Sequence, residues 1–188
     1  MRRPSIFESL FRPPVVTGSK VSLRPKRLQD AANDYSWHRD TELCQFDAIT
    51  PISISFEDYS QFYADGLRYS GKGYRFAIEV LDGGEHIGNC SYFNIDNVKR
   101  EAEFGIMIGN RDYWSQGYGT DVILTLLNYI FLHTRLERIY LKTLNWNIRA
   151  QRCFKKCGFT PCGKLTLDSY NFIVMDTKRP DKLQKQEE

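Results

Sequence analysis

The sequence predicts an α/β fold in which helices flank one central mixed sheet. Three observations carry this expectation. Short stretches with the two-residue alternation of strands recur between residues 20 and 177. Segments with helical spacing lie between them, the most apolar being Val122 to Leu132. Strands and helices are interleaved rather than segregated, as in a sheet covered by helices. The 188 residues suit one domain, read as an arm over 1–19, a body over 20–178 and a polar tail over 179–188.

In the arm, Phe7, Leu10 and Phe11 are packing candidates, punctuated by Pro4, Pro13, Pro14 and Gly18. Lys20 to Arg24 alternates as a strand. Leu28, Ala31, Ala32 and Tyr35 follow helical spacing, and Ser55 to Arg68 does so with Phe56, Tyr59, Phe62 and Tyr63 on one side. Gly71-Lys72-Gly73 is a surface turn. Tyr74 to Leu81 and Glu85 to Ile95 form a hairpin about Asp82-Gly83-Gly84. Arg100 to Ile108 is the next strand. A buried helix then runs to about His133, with Ile123, Leu126, Leu127 and Ile130 on its inner face. Arg138 to Thr143 is a strand. Asn147 caps a helix with Ala150, Cys153, Phe154 and Cys157 on one face, and Gly158 ends it in the left-handed conformation. Strands near Thr160 to Thr166 and Tyr170 to Thr177 close the body.

Composition excludes several classes. The net charge of +3 does not call for a nucleic-acid partner. The longest apolar stretch is broken by Thr125 and Asn128, short of the roughly 20 residues a membrane span needs. No apolar region follows the basic start, so no signal peptide is expected. Cys44, Cys90, Cys153, Cys157 and Cys162 read as reduced thiols of a cytoplasmic protein. His38, His86 and His133 are scattered and Cys153/Cys157 lack a second ligand pair, so no metal is expected. The helical spacing of Cys153 and Cys157 points them at the core.

The most informative run is Gln116-Gly117-Tyr118-Gly119-Thr120, where a strand has ended and a buried helix begins. The first N–H groups of a helix have no partners within it and carry the positive end of its dipole, a natural seat for phosphate. Taken alone, a Gly-x-Gly turn is more often a helix start that binds nothing. A P-loop lysine is missing, and the third glycine of a dinucleotide fingerprint falls on Val122.

The whole run Arg111 to Asp121 resembles the acyl-CoA loop of the GNAT superfamily of N-acetyltransferases. Asn147-Ile148-Arg149-Ala150, followed by Phe154 to Phe159, resembles that family's closing motif, and Trp37 to Glu42 resembles its branch of ribosomal-protein N-terminal acetyltransferases. The resemblance implies a GNAT fold, with a V-shaped cofactor gap between two parallel strands. It implies that Met107, Ile108 and Gly109 pair with the pantetheine arm of acetyl-CoA. Gln116, Gly117, Tyr118, Gly119 and Thr120 would hold the pyrophosphate, with Trp114 and Ser115 leading into that loop. Asn147 would bond near the cofactor's arm. Arg149, Arg152, Lys155 and Lys156 form a basic side, from which Arg152 is the candidate for the 3′-phosphate; a solvated helix face is the alternative.

The resemblance further implies acetyl transfer from acetyl-CoA to a primary amine, either a protein N-terminus or a small molecule. No metal, nucleic acid or membrane is needed, and a homodimer is compatible with it. Two positions depart from the family. Phe154 stands where many relatives carry an acidic tyrosine hydroxyl, and Ala150 where some carry serine. They support the alternative of a CoA-binding sensor or regulatory module without catalysis. Glu103 shares a strand face with Glu101, Gly105 and Met107 and is the candidate general base. Its alternative is a surface carboxylate or a salt-bridge partner of Arg100. Trp37 to Asp47 is a candidate border of the acceptor site.

Overall fold

The computed structural model describes residues 14–68 and 73–181. The expected packing of Phe7, Leu10 and Phe11, the turn at Gly71-Lys72 and all but the start of the tail lie outside them. Eight strands, β1 (Val16–Thr17), β2 (Val21–Pro25), β3 (Gly73–Val80), β4 (His86–Asp96), β5 (Glu101–Ile108), β6 (Arg138–Leu144), β7 (Thr160–Leu167) and β8 (Tyr170–Lys178), form one sheet in the order β1-β2-β3-β4-β5-β6-β8-β7. Five helices accompany it: α1 (Ala31–Arg39), α2 (Thr41–Asp47), α3 (Phe56–Arg68), α4 (Tyr118–His133) and α5 (Ile148–Lys156).

Alternation decides the two faces. Leu23, Phe76, Ile78, Cys90, Ala102, Phe104, Ile139, Leu141 and Met175 point to one side, where α4 supplies Ile123, Leu126, Leu127 and Ile130 and α5 supplies Phe154. That is the core. The opposite face is polar and carries α1. Arg24 there grips Asp30 at 2.8 Å, Lys26 pairs with Asp34, and Asn89 donates to Asp34 at 2.7 Å. These buried charges are paired, as burial requires, and they fix α1 over β2 and β4.

All strand pairs are antiparallel except β5 and β6. That parallel pair is short: Glu101, Ala102 and Glu103 lie opposite Arg138, Ile139 and Tyr140. β5 then continues to Ile108 and β6 to Leu144 without pairing, so the two diverge and a wedge opens between them.

Several boundaries differ from expectation, each for a hydrogen-bonding reason. Val16 and Thr17 pair with Leu23 and Ser22, so the end of the expected arm is a strand of the sheet. The Asp121 carboxylate accepts from the backbone of Ser19 at 3.0 Å and Lys20 at 2.8 Å, which ties the β1–β2 turn to α4. Arg179, assigned to the tail, is buried and donates to the Leu136 carbonyl at 3.2 Å. The seven-residue α2 has too few turns to show a period, but Asp40 caps it by accepting from the Leu43 N–H at 3.0 Å. On α3, Tyr59 and Tyr63 turn inward while Phe56 and Phe62 stay exposed.

Candidate active site

The wedge leads into a cleft of about 470 Å³, walled by β5, by the loop before α4, by α5 and by α2. Of the residues expected there, Met107, Ile108, Trp114, Ser115, Gly117, Gly119, Thr120, Asn147 and Arg152 line it.

On β5 the backbone alternates. A Cβ on Gly88 would meet the Met107 carbonyl at 2.2 Å, so that carbonyl faces β4. The Gly109 N–H also faces β4 and donates to Ile87 at 2.9 Å. The Ile108 carbonyl faces the wedge, where the Trp114 indole N–H donates to it at 2.7 Å. By the same alternation, the Ile108 N–H and both backbone groups of Ile106 point into the wedge. An extended amide-bearing arm therefore finds partners at Ile106 and Ile108. Gly109 is among the expected positions that do not line the cleft: its N–H is taken by Ile87 and its missing Cβ makes room for Trp37, whose ring would lie 2.1 Å from one.

The loop before α4 folds through two left-handed residues, Ser115 (φ 60°) and Gly117 (φ 87°), the first unusual for a residue with a side chain. Gly117 is the N-cap of α4, and no side chain caps that helix. Its first N–H groups are thus left for an anion, with the helix dipole behind them. A Cβ on Gly119 would lie 3.6 Å from the Cys153 sulfur, an ordinary contact, so Cys153 borders the seat on its inner side. Gln116 and Tyr118 are turned elsewhere. The Gln116 carbonyl accepts from Lys20 Nζ at 3.0 Å, its amide bonds Asp112, and the Tyr118 ring lies under the Lys20 ammonium at 5.0 Å. The Gln116 side chain closes the loop on itself, and the Tyr118 ring holds it beside Lys20.

From α5, the Asn147 side chain accepts from the Ala150 N–H at 3.2 Å and is 8% exposed. Arg149, Arg152 and Lys156 all reach the cleft. The Arg149 guanidinium lies 3.5 Å from the Trp114 ring centroid and 5.2 Å from that of Phe46. Phe46 in turn meets Trp146 at 5.3 Å. This stack joins α2 to α5 across the cleft mouth. Phe154 lines the cleft and packs edge-on against Phe159. A phosphate seat, strand amides and basic side chains along one cleft fit acetyl-CoA, whose pyrophosphate, pantetheine amides and 3′-phosphate ask for those groups in turn.

Two expectations about side chains change. Glu103 is buried at the apex of the wedge, where Lys142 Nζ lies 3.0 Å and Asn94 Nδ2 2.9 Å from its oxygens. It is a paired carboxylate, and its partner is not Arg100, which bonds Glu137. Cys153, expected in the core beside Cys157, instead opens on the cleft. The carboxylate that does line the cleft is Asp47, at the end of α2. It makes no hydrogen bond or ion pair among the described residues. Its side chain is exposed on the cleft wall; the protein crowded around it pushes its carboxyl upward from the usual range, with His38 opposing. The sequence signal for it was slight, a polar residue closing an apolar two-turn segment.

Residues 20–160 match the family described as acetyltransferase (GNAT) domain. The chain is 29% identical, over 78% of its length and 82% of the relative's, to an uncharacterized N-acetyltransferase, p20, of Bacillus licheniformis. It is 27% identical to the spermidine N(1)-acetyltransferase of Escherichia coli K12, over 77% of this chain and 75% of that one. The fold is shared with the spermidine N-acetyltransferase of Vibrio cholerae in complex with CoA and spermine (TM-score 0.76, 22% identity, 86% of this chain and 96% of that one). It is also shared with an aminoglycoside acetyltransferase in complex with coenzyme A (TM-score 0.69, 19% identity, 88% and 98%). With most of its length inside the family match, and a cleft of this shape and chemistry, the chain belongs to the GNAT family and is an acetyl-CoA-dependent N-acetyltransferase acting on an amine.

Proposed function

We propose that the acceptor is a small amine carrying more than one positive charge, and that Asp47 receives it. The observation that carries this reading is an unpaired carboxylate on the wall of an otherwise basic and aromatic cleft. An ammonium entering beside Phe46 meets an aromatic ring and then a negative charge, an arrangement that favours cations over neutral or acidic chains. The relatives named for spermidine, and the similar structure that holds spermine, support the same class.

The chemistry then follows from the residues at hand. An amine is mostly protonated at neutral pH, and a carboxyl with a raised pKa is better matched to take up that proton than an ordinary one. The N–H groups of Ile106 and Ile108 face the wedge, where they would donate to the oxygen of the thioester carbonyl as charge develops on it. Phe154 offers no proton to the departing sulfur, and a thiol of pKa about 8.5 can leave as thiolate.

The test is a panel of spermidine, kanamycin, a singly charged alkylamine and an alanine-initiated peptide, each with acetyl-CoA, read by thiol release. The expected order of kcat/KM places spermidine or kanamycin first. A peptide or the singly charged amine in first place overturns the proposal.

A further inference from the structure

α2 is seven residues long and ends at Asp47, the carboxylate on the cleft wall. So short a helix does not hold itself in place. Leu43 and Cys44 bury its middle, and both of its ends are tied to the loop before α4. At its start, Arg111 of that loop bonds the Asp40 carboxylate at 2.7 Å and the Glu42 carboxylate at 2.7 and 3.0 Å. At its end, Phe46 meets the Trp114 ring edge-on at 5.9 Å, and the Arg149 guanidinium of α5 lies against both rings. Just past Asp47 the chain turns away through Ala48, which is left-handed (φ 54°). No further helical turn supports the carboxylate.

Arg149 lines the same cleft as Arg152 and Lys156, but it is engaged differently. Its N–H groups make no hydrogen bond or ion pair among the described residues. The charges that act on it are those of Glu42 and Arg111, on the α2 side of the cleft. What the side chain uses is its planar face, since a guanidinium stacks on an aromatic ring as an ammonium cannot.

We infer that Arg149 is a positioning residue for the acceptor amine: stacked on Trp114 and beside Phe46, it holds the end of α2 against the cofactor loop and so sets where Asp47 stands in the cleft. It touches neither reacting group. The inference rests on the reading of Asp47 as the residue that receives the amine. The cofactor's phosphates are left to the uncapped start of α4 and to Arg152 and Lys156, so amine and cofactor respond separately to the loss of the stack.

The experiment measures kcat/KM for spermidine, the CoA Kd by calorimetry and the melting temperature, all on the full chain. The variants are Arg149→Leu, Arg149→Lys, Phe46→Leu, the Arg149→Leu/Phe46→Leu double variant and Asp47→Asn. A cation–π contact corresponds to roughly 2- to 5-fold when exposed and about 30-fold when desolvated. Arg149→Leu should therefore lower kcat/KM for spermidine by about 3- to 10-fold, with the CoA Kd moved by less than about 2-fold. Arg149→Lys keeps the charge and loses the planar face, so it should not restore the parental value. The double variant should be little worse than the worse single one, because both substitutions break one contact.

A CoA Kd that rises alone, or as far as the spermidine value falls, makes Arg149 a cofactor ligand and overturns the inference. Full rescue by lysine overturns it, as do Arg149 and Phe46 effects that multiply. Unchanged spermidine kinetics in Asp47→Asn overturn the acceptor reading itself. Parental kinetics in Arg149→Leu beside an impaired Asp47→Asn overturn the positioning role alone. Should Arg149→Leu fail to fold, Arg149→Lys decides the same question through the same pair of measurements.

Discussion

The Trp114 indole N–H donates to the Ile108 carbonyl at 2.7 Å. One bond thus fixes the loop before α4 to the end of β5, while the indole face holds the Arg149 guanidinium at 3.5 Å. Trp114 sets the distance between the uncapped start of α4 and the end of β5.

Replacing Trp114 by Phe keeps a ring for Arg149 and removes the N–H. A neutral hydrogen bond contributes about 0.5–1.5 kcal/mol, or roughly a 2- to 10-fold change. The KM for acetyl-CoA should rise by that factor with kcat little altered. An unchanged KM would separate the loop from cofactor binding.

Asn147 caps α5 through the Ala150 N–H. Asn147→Ala should lower stability by about 0.5–2 kcal/mol in chemical denaturation. Asn147→Asp keeps the cap but adds a negative charge to a cleft that receives a polyanion, so stability should hold while CoA affinity falls. Equal CoA affinity in the Asp variant would reduce Asn147 to a capping role.

Asp47 has a raised pKa and no partner among the described residues. A carboxyl that binds its proton more tightly when folded loses stability as pH rises from the unfolded value through the folded one. Asp47 is exposed, so water screens its charge and this cost is small. Asp47→Asn should leave the melting temperature little changed at neutral pH while lowering kcat/KM for a polycationic amine at least about tenfold. In the parent protein, activity should fall on acidification at a higher pH than for an ordinary carboxylate. A destabilised Asn variant with full activity would show Asp47 to be structural.

Glu103 and Lys142 form the opposite case. Glu103→Gln leaves the exposed Lys142 ammonium to water and keeps an acceptor for Asn94, so stability should drop by at most about 1 kcal/mol, with the pH–rate profile unchanged in shape. Disappearance of the acidic limb would restore Glu103 as the base.

The readable parts of the site were those whose signal is local. The glycine turn before α4, the cap at Asn147 and the left-handed Gly158 are each decided by a few neighbouring residues, and the structure has them where the sequence placed them. The parts whose surroundings the sequence did not show depend on partners far along the chain. Parity put Glu103 on the correct face of β5, but its charge is settled by Lys142, 39 positions away. Gly109 looked like a cofactor contact because it ends the strand, whereas Trp37 from α1 occupies the space its Cβ would fill. Gln116 lies inside the phosphate motif, yet Lys20 claims its carbonyl from 96 positions away.

β5 sits fifth among eight strands, yet beyond Glu103 it has a neighbour on one side alone. It is an edge strand in the middle of a sheet. Unpaired edges invite pairing with other chains, but this one is recessed between α2 and α5, out of reach of a flat strand from another molecule. Amide hydrogen exchange should reveal it as alternation along a single strand: slow at Met107 and Gly109, which face β4, and fast at Ile106 and Ile108 until a slender amide-bearing ligand slides in as the missing neighbour.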